Sequence, residues 1–416
     1  MDGGNGNCED TRMRTQPLTR RGFLRQSIAA TAAVFAPLAQ SFGAGTSRSI
    51  KAYDVKELRV PVAEANAVTA MARGDDGLLY CGLTGKRRVL AALDPRDDSI
   101  RDLGEVFPDD PKTRGILDKI HNALVKAPDG SLYIGQGLNI SDAYPMEFHS
   151  HGYEGGRLFR YQPSAGRFTD LGPQVRGEAI QGMAMDPRGR YIAGYTIPGN
   201  RFFVHDLASH TVTDYGRISQ MAHHNLVCDA AGVTWGCWNC ALAPKGAPVR
   251  TDGCYLMRYE HERRAFKRTT IAVPTEPFRN VSPAKNKSWA NGFDSACCAR
   301  DGAVYFGTSL PANLCRFEPG AGKVELLGRP VRSSRIPALA EAADGRIIGF
   351  GGFPQMQLFT YDPAKRALTN HGVVLPHYKL CIFHAMIVLP DGRIYAGETD
   401  SGRANIYCLI PRTPKR

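Results

Sequence analysis

Side chains able to neutralise a carboxylate, or to move a proton beside one, are spread along this sequence. They are His121, His149, His151, Tyr195 and Arg201. β-Elimination on a uronate needs a cation that neutralises the carboxylate, a base that removes the proton on the adjacent carbon, and an acid that protonates the leaving oxygen. Arg201 and His121 are predicted to bind the carboxylate. His149 or His151 is predicted to be the base, because the ordinary pKa of imidazole lies near neutrality. Tyr195 is predicted to be the acid, or a shared acid and base. The alternative for each residue is an ordinary loop position.

A second cluster has the spacing of a metal site. It follows the pattern HHx12CxxCx13C and consists of His223, His224, Cys237, Cys240 and Cys254. One histidine and three thiolates make a closed, tetrahedral zinc site of the structural kind. The cluster therefore predicts structural zinc. The alternatives are a disulfide between Cys237 and Cys240, or buried thiols without a metal.

An internal repeat must position these residues. Each unit has a glycine turn between two apolar strands, and the turn glycines are Gly77, Gly130, Gly189, Gly232, Gly302, Gly345 and Gly392. Repeats of about 45 to 55 residues with four strands each are typical of propeller blades, which must stack around an axis to bury their faces. We therefore predict an all-β, seven-bladed β-propeller over residues 45–416. The last unit stops after three strands, so residues 51–60 are predicted to close the last blade as its outer strand.

One face of this propeller is predicted to carry the site, because the insertions at 138–156, 237–252 and 270–293 fall in loops that share a face. Polar residues enter the channel there, namely His121, Asn122, Gln181, His223, His224, Asp294 and His384. The predicted substrate-binding residues are Asn122, Gln181, Arg279, Lys287, Trp289, Arg335 and His384. The alternatives are a column of water in the channel and a solvated charged surface.

The order of the candidate residues resembles that of the seven-bladed propeller polysaccharide lyases, above all the ulvan lyases. In ulvan-type enzymes two histidines, a tyrosine and an arginine perform elimination, and zinc held by His and Cys is structural. The resemblance implies these roles for His121, His151, Tyr195 and Arg201. Oligogalacturonate lyases are a more distant resemblance. They hold a catalytic metal near the axis, and the histidine triplet expected near their chain end is absent here.

The first 44 residues are predicted to be a twin-arginine leader, because TRRGFLR precedes an alanine-rich apolar run. That run is too short to span a bilayer, so a periplasmic or secreted protein is expected. The 416-residue chain carries a formal charge of +12, which for an exported protein favours an anionic polysaccharide or oligosaccharide as partner. The sequence has no basic run interleaved with aromatic residues, which is the pattern that would indicate nucleic-acid binding. A monomer or dimer is expected.

The sequence therefore predicts an exported polysaccharide lyase that cleaves a uronate-containing substrate by β-elimination. One alternative is a propeller that binds carbohydrate or protein without catalysis, because this fold hosts many unrelated roles. A metal-dependent lactonase is a third possibility. It would need an acid-rich axial site, whereas Asp294 is the single acid that the repeat places in the channel.

Overall fold

The computed structural model describes residues 50–108, 119–138, 153–219, 223–239, 253–274, 292–309, 311–332, 335–399 and 401–412. The predicted leader, residues 1–44, lies outside these ranges. No helix of the described residues is long and apolar enough to cross a membrane.

The described strands form seven four-stranded antiparallel sheets. Blades one to four contain β2 to β17, which are Ala65–Arg73, Leu79–Gly85, Val89–Asp94, Ser99–Glu105, Leu124–Lys126, Leu132–Gly135, Arg157–Gln162, Arg167–Pro173, Ala179–Met185, Tyr191–Ile197, Arg201–Asp206, Val212–Arg217, Val227–Cys228, Val233–Asn239, Cys254–Glu260 and Ala265–Ala272. Blades five to seven contain β18 to β28, which are Ser295–Cys298, Val304–Gly307, Leu314–Phe317, Val324–Gly328, Ala338–Glu341, Ile347–Gly351, Gln357–Asp362, Ala367–Val373, Ile382–Val388, Ile394–Thr399 and Asn405–Pro411.

The sheets close into a ring. The first strands of successive blades, β2, β6, β10, β14, β18, β22 and β26, contact one another in that order, and β26 contacts β2. The predicted all-β, seven-bladed propeller is thus confirmed. The first strands line the axis, so residues at their start lie at one end of the channel.

The ring is closed by the strand that precedes blade one. Strand β1, Tyr53–Arg59, pairs antiparallel with β28, from Tyr53 opposite Pro411 to Arg59 opposite Asn405. The sheet order of the last blade is β1, β28, β27, β26, so β1 is its outer strand, as predicted. Tyr53 and Leu58 are buried. Closure therefore joins the two ends of the propeller by main-chain hydrogen bonds and apolar packing.

The turn between the first and second strands explains the repeated glycine. All seven turn glycines have φ between 69° and 86°, a left-handed conformation that glycine adopts without steric cost. In blade two the Asp129 carboxylate accepts the Ser131 N–H at 2.9 Å, and in blade seven the Asp391 carboxylate accepts the Arg393 N–H at 3.0 Å. Each aspartate stabilises its turn by accepting a hydrogen bond from the main-chain N–H two residues further along the chain.

The core lies between neighbouring blades. Strand β3 is buried throughout, whereas β5 at the outer edge is mostly exposed or half-buried. One apolar cluster joins blades three and four and includes Tyr195, Phe202 and Tyr259. A Cβ at Gly236 of blade four would overlap the hydroxyl of Tyr195. Glycine at that position therefore lets the tyrosine of one blade enter the next.

Candidate active site

Three imidazoles meet at the axis. His121 precedes β6, His224 precedes β14 and His384 lies in β26, so blades two, four and seven each supply one ring. The ring centroids are 5.2 Å apart for His121 and His224, 5.7 Å for His121 and His384, and 6.1 Å for His224 and His384. All three residues are buried. We call this group the axial histidines.

A carboxylate and a guanidinium support one of the axial histidines. Nδ1 of His224 lies 2.7 Å from Oδ1 of Asp294. Arg335 donates to both carboxylate oxygens, from Nε to Oδ2 at 2.9 Å and from its terminal nitrogen to Oδ1 at 2.7 Å. Asp294 directly precedes β18 and Arg335 lies shortly before β22, so blades four, five and six are joined by this network.

His121 has a different partner. Its Nδ1 lies 2.7 Å from the main-chain oxygen of Gln181, so a neutral ring donates from Nδ1. Asn122 is next in sequence and forms a parallel bridge with Gly182. The predicted binding residues Asn122 and Gln181 therefore lie beside His121, and the contact from Gln181 is made by its main chain.

The electrostatics of the site keep the rings neutral. Burial lowers the pKa of His121 and of His384 well below the ordinary value, and the charges of Lys119 and Arg335 lower both further. Burial also lowers the pKa of His224, against the opposing effect of Asp294. Neutral imidazoles retain a lone pair, which is what a base requires.

Asp294 remains ionised although it is buried. Burial alone raises the pKa of this carboxyl group, but the Arg335 charge and the hydrogen bonds from His224 and Arg335 hold it well below its usual range. Lys119 and Arg335 bring two positive charges and Asp294 one negative charge. With neutral imidazoles, the group is positive overall and suits an anion.

The backbone at Arg335 is unusual. Its φ is 71°, and its side chain is buried. Left-handed backbone is uncommon for a residue other than glycine and costs free energy, so the surrounding structure must hold it. The bidentate contact with Asp294 supplies part of that restraint. Residues held in this way are common at functional sites.

Tyr195 and Arg201 are held by partners other than the axial histidines. The Tyr195 hydroxyl accepts the Cys237 N–H at 2.8 Å and contacts the Cys237 carbonyl oxygen at 3.2 Å, and burial raises the pKa of this phenol well above its usual value. Arg201 donates from Nε to Asp214 at 2.8 Å in the outer strands. The expected convergence of His121, Tyr195 and Arg201 is thus not seen among these contacts.

The predicted metal cluster divides between two sites. Both ring nitrogens of His223 are buried without a hydrogen-bond partner in the described part of the chain. A Cβ at Gly292 would lie 2.5 Å from His223 Nδ1 and 2.8 Å from the Cβ of Cys237, so these two side chains are neighbours. Cys237 and Cys254 are free thiols, and a hydrogen bond between them, together with burial, raises the pKa of Cys254 well above its usual value. His224, in contrast, points to the axial histidines.

Six predicted site residues lie outside the described ranges. They are His149, His151, Cys240, Arg279, Lys287 and Trp289. Within those ranges, no group of three His, Cys, Asp or Glu side chains is arranged to hold a metal ion. The zinc site and the assigned base therefore stay predictions.

Sequence reasoning missed Lys119 and did not assign a role to Asp294. Both lie near the start of a first strand, where the repeat places residues at the channel end. That position was the available signal for both. The pairing of Asp294 with His224 and Arg335 depends on the rotation between blades, which the sequence does not display.

Comparisons with known proteins support the fold. No protein-family model matches the chain, and no curated protein matches it in sequence. The virginiamycin B lyase of Staphylococcus aureus superposes with a TM-score of 0.57 at 12% identity, over 86% of this chain and 100% of that one. The extracellular domain of the two-component system BT4673 from B. thetaiotaomicron superposes with a TM-score of 0.56 at 15% identity, over 88% of this chain and 40% of that one.

These neighbours are seven-bladed β-propellers. At such identities the likeness shows the fold alone. A chain of the mitotic checkpoint complex also superposes, with a TM-score of 0.54 at 11% identity, over 98% of this chain and 100% of that one. Because proteins of such different roles share the architecture, the function must be argued from the site.

Proposed function

We propose that this protein is an exported carbon–oxygen lyase that cleaves a uronate-containing polysaccharide or oligosaccharide by β-elimination. The observation that carries the proposal is the group of three neutral imidazoles beside Lys119 and Arg335. Elimination beside a carboxylate needs a proton acceptor and a positive charge in one place. The axial end of the channel offers both.

Each residue of the axial site has a separate role in the proposed elimination. Lys119 and the N–H groups of the axial site bind the carboxylate and stabilise the negative charge that develops on it. An axial imidazole accepts the proton from the adjacent carbon. Burial strengthens both effects, because charges interact more strongly where water is excluded. Tyr195 and Arg201 have no direct role in this scheme, since each is engaged elsewhere.

The direct test is a substrate panel. The protein is incubated with ulvan, pectins and glucuronans, and formation of the unsaturated uronate is followed by its ultraviolet absorbance. We expect turnover of at least one polymer, abolished when the axial histidines are replaced by alanine. Lys119→Met should raise KM by about tenfold if it removes a carboxylate contact. Lys86→Met is the matched control, because Lys86 is exposed and paired with Glu64 in blade one.

Absence of the product across the panel would reject the lyase proposal. Binding of a polymer without turnover would favour the non-catalytic propeller instead. Loss of activity in Lys86→Met to the same extent as in Lys119→Met would show that charge alone, rather than the axial position, governs the effect.

Structural zinc is part of the proposal. The ring of His223, whose nitrogens have no hydrogen-bond partner among the described residues, and the adjacent thiols of Cys237 and Cys254 are the donor types that zinc prefers. Cys240, which follows β15 directly, is the proposed fourth ligand. The site would stabilise blade four and take no part in the elimination. His224 is left out of this ligand set because its Nδ1 binds Asp294.

A further inference from the structure

We propose that His224 is the axial histidine that removes the substrate proton, and that Asp294, clamped by Arg335, is the residue that positions it. This inference rests on the proposed lyase function and names the base within that site. It depends on the partners that distinguish the three axial rings.

The hydrogen bond to Asp294 fixes the tautomer of His224. A carboxylate only accepts hydrogen bonds, so Nδ1 of His224 carries the hydrogen that spans the 2.7 Å to Oδ1. The lone pair is then on Nε2. The ring is held with its basic nitrogen directed away from Asp294, which is the arrangement that a proton acceptor needs.

Among the described residues, the other two axial histidines have no carboxylate partner. His121 donates to the carbonyl oxygen of Gln181, which is a neutral acceptor. Both ring nitrogens of His384 are without a hydrogen-bond partner among the described residues. When a base takes a proton it becomes an imidazolium. Of the three rings, His224 is the one that contacts an ionised carboxylate among the described residues, and this carboxylate stabilises the charge.

Arg335 holds the carboxylate in place. Its two hydrogen bonds, at 2.9 and 2.7 Å, engage both oxygens of Asp294 and fix the plane of the group. The Asp294 side chain has no solvent exposure, so the clamp also keeps it ionised in a buried position. The left-handed backbone of Arg335 is explained if this orientation is required at the site.

The step balances without a further reactant. The lone pair on Nε2 of His224 takes the proton from the carbon next to the carboxylate. The electrons of that C–H bond form the new C=C bond, and the C–O bond to the leaving sugar breaks with its electron pair on oxygen. The imidazolium then returns the proton to that oxygen, which restores the neutral ring.

The test combines kinetics with NMR. Asp294→Asn should lower kcat by at least about 100-fold, as expected when a positioned base loses its tautomer, while KM changes by less than about threefold. Asp186→Asn is the matched control, because Asp186 is likewise buried and clamped by Arg190 at 2.9 and 2.8 Å, but has no histidine partner in the described part of the chain. The control should retain kcat within about twofold of the wild type.

Nitrogen-15 NMR of the wild-type protein reads the tautomer without substrate and without any variant. We expect His224 to carry its hydrogen on Nδ1, and Asp294→Asn to move it to Nε2. A wild-type ring protonated on Nε2 would overturn the inference. So would an active Asp294→Asn enzyme with kcat no lower than that of Asp186→Asn. Wild-type protein that turns over none of the polymers would reject the proposed function, whereas the tautomer would still be measured independently.

Discussion

Acidification should destabilise this protein through its buried histidines. Burial lowers the folded-state pKa of His121 and His384 well below that of an ordinary imidazole, and the nearby Lys119, Arg335 and His224 act in the same direction. The unfolded chain therefore binds more protons as the pH falls through about 6.5. The stability contributed by the neutral rings is present above that pH and is lost below it.

The magnitude follows from the linkage relation. A histidine that stays neutral in the folded protein and titrates at about pH 6.5 when unfolded costs about 1.4 kcal/mol as the pH is lowered from 7.5 to 5.5. His121 and His384 together then account for about 2.8 kcal/mol. The interval ends more than one pH unit above the ordinary carboxyl pKa of about 4, so most carboxylates of the unfolded chain stay ionised throughout it.

The assay is denaturant unfolding at pH 7.5 and 5.5. His384→Phe removes one titrating ring without removing a hydrogen bond that the described residues make. We expect its loss of stability over this interval to be about 1.4 kcal/mol smaller than that of the wild type. His377→Phe is the control, because His377 is exposed and lies outside the axial histidines.

An unchanged pH dependence in His384→Phe would refute this reasoning, since it would mean that His384 is protonated in the folded protein. A reduction equally large in His377→Phe would also count against it, because the effect would not then depend on burial at the axis.

Three further predictions concern the scaffold. Tyr195→Phe should lower the free energy of unfolding by about 1–3 kcal/mol, because the Cys237 main chain loses its partner, yet leave kcat within about twofold; a much larger loss of kcat would return Tyr195 to the catalytic scheme. Elemental analysis after reducing purification should find about one zinc per chain and much less in Cys254→Ala, and a zinc-free wild type would reject the site. Leu58→Ala should cost about 2–4 kcal/mol by denaturant unfolding. No loss would contradict the closing role of β1.

The fold was predictable because its signals are local and repeated. Each turn needs a glycine with positive φ, and each glycine lies between apolar strands. The last unit lacks a fourth strand, and residues 51–60 belong to no unit. The sequence therefore also predicts that residues 51–60 complete the last blade and close the ring. Seven repetitions of the same pattern make an error in any one unit unimportant.

The site was only partly predictable. Position in the repeat placed His121, His224 and His384 at the channel, and the structure brings their rings together. The direction of Tyr195 was not predictable from its place near the end of β11. Its hydroxyl enters blade four where Gly236 leaves room. Among the described residues, the innermost strand β14 pairs with Trp235 and Thr234 of β15, and the Tyr195 hydroxyl supplies a partner for the main chain of β15 beyond them, at Cys237.

The neighbouring residues His223 and His224 belong to different clusters, the proposed zinc ligands and the axial histidines. The ring centroids of His223 and Tyr195 are 5.7 Å apart, and His223 lies beside Cys237. His224, in contrast, contacts His121 and Asp294. Because the two residues share a peptide bond, a ligand that fixes His223 also restricts where His224 can lie. If zinc occupies the proposed site, its removal should therefore reduce turnover, although in the proposed scheme the metal takes no part in the chemistry. The reduction should fall on kcat, since the position of the proposed base changes and the proposed contact of Lys119 with the substrate carboxylate does not.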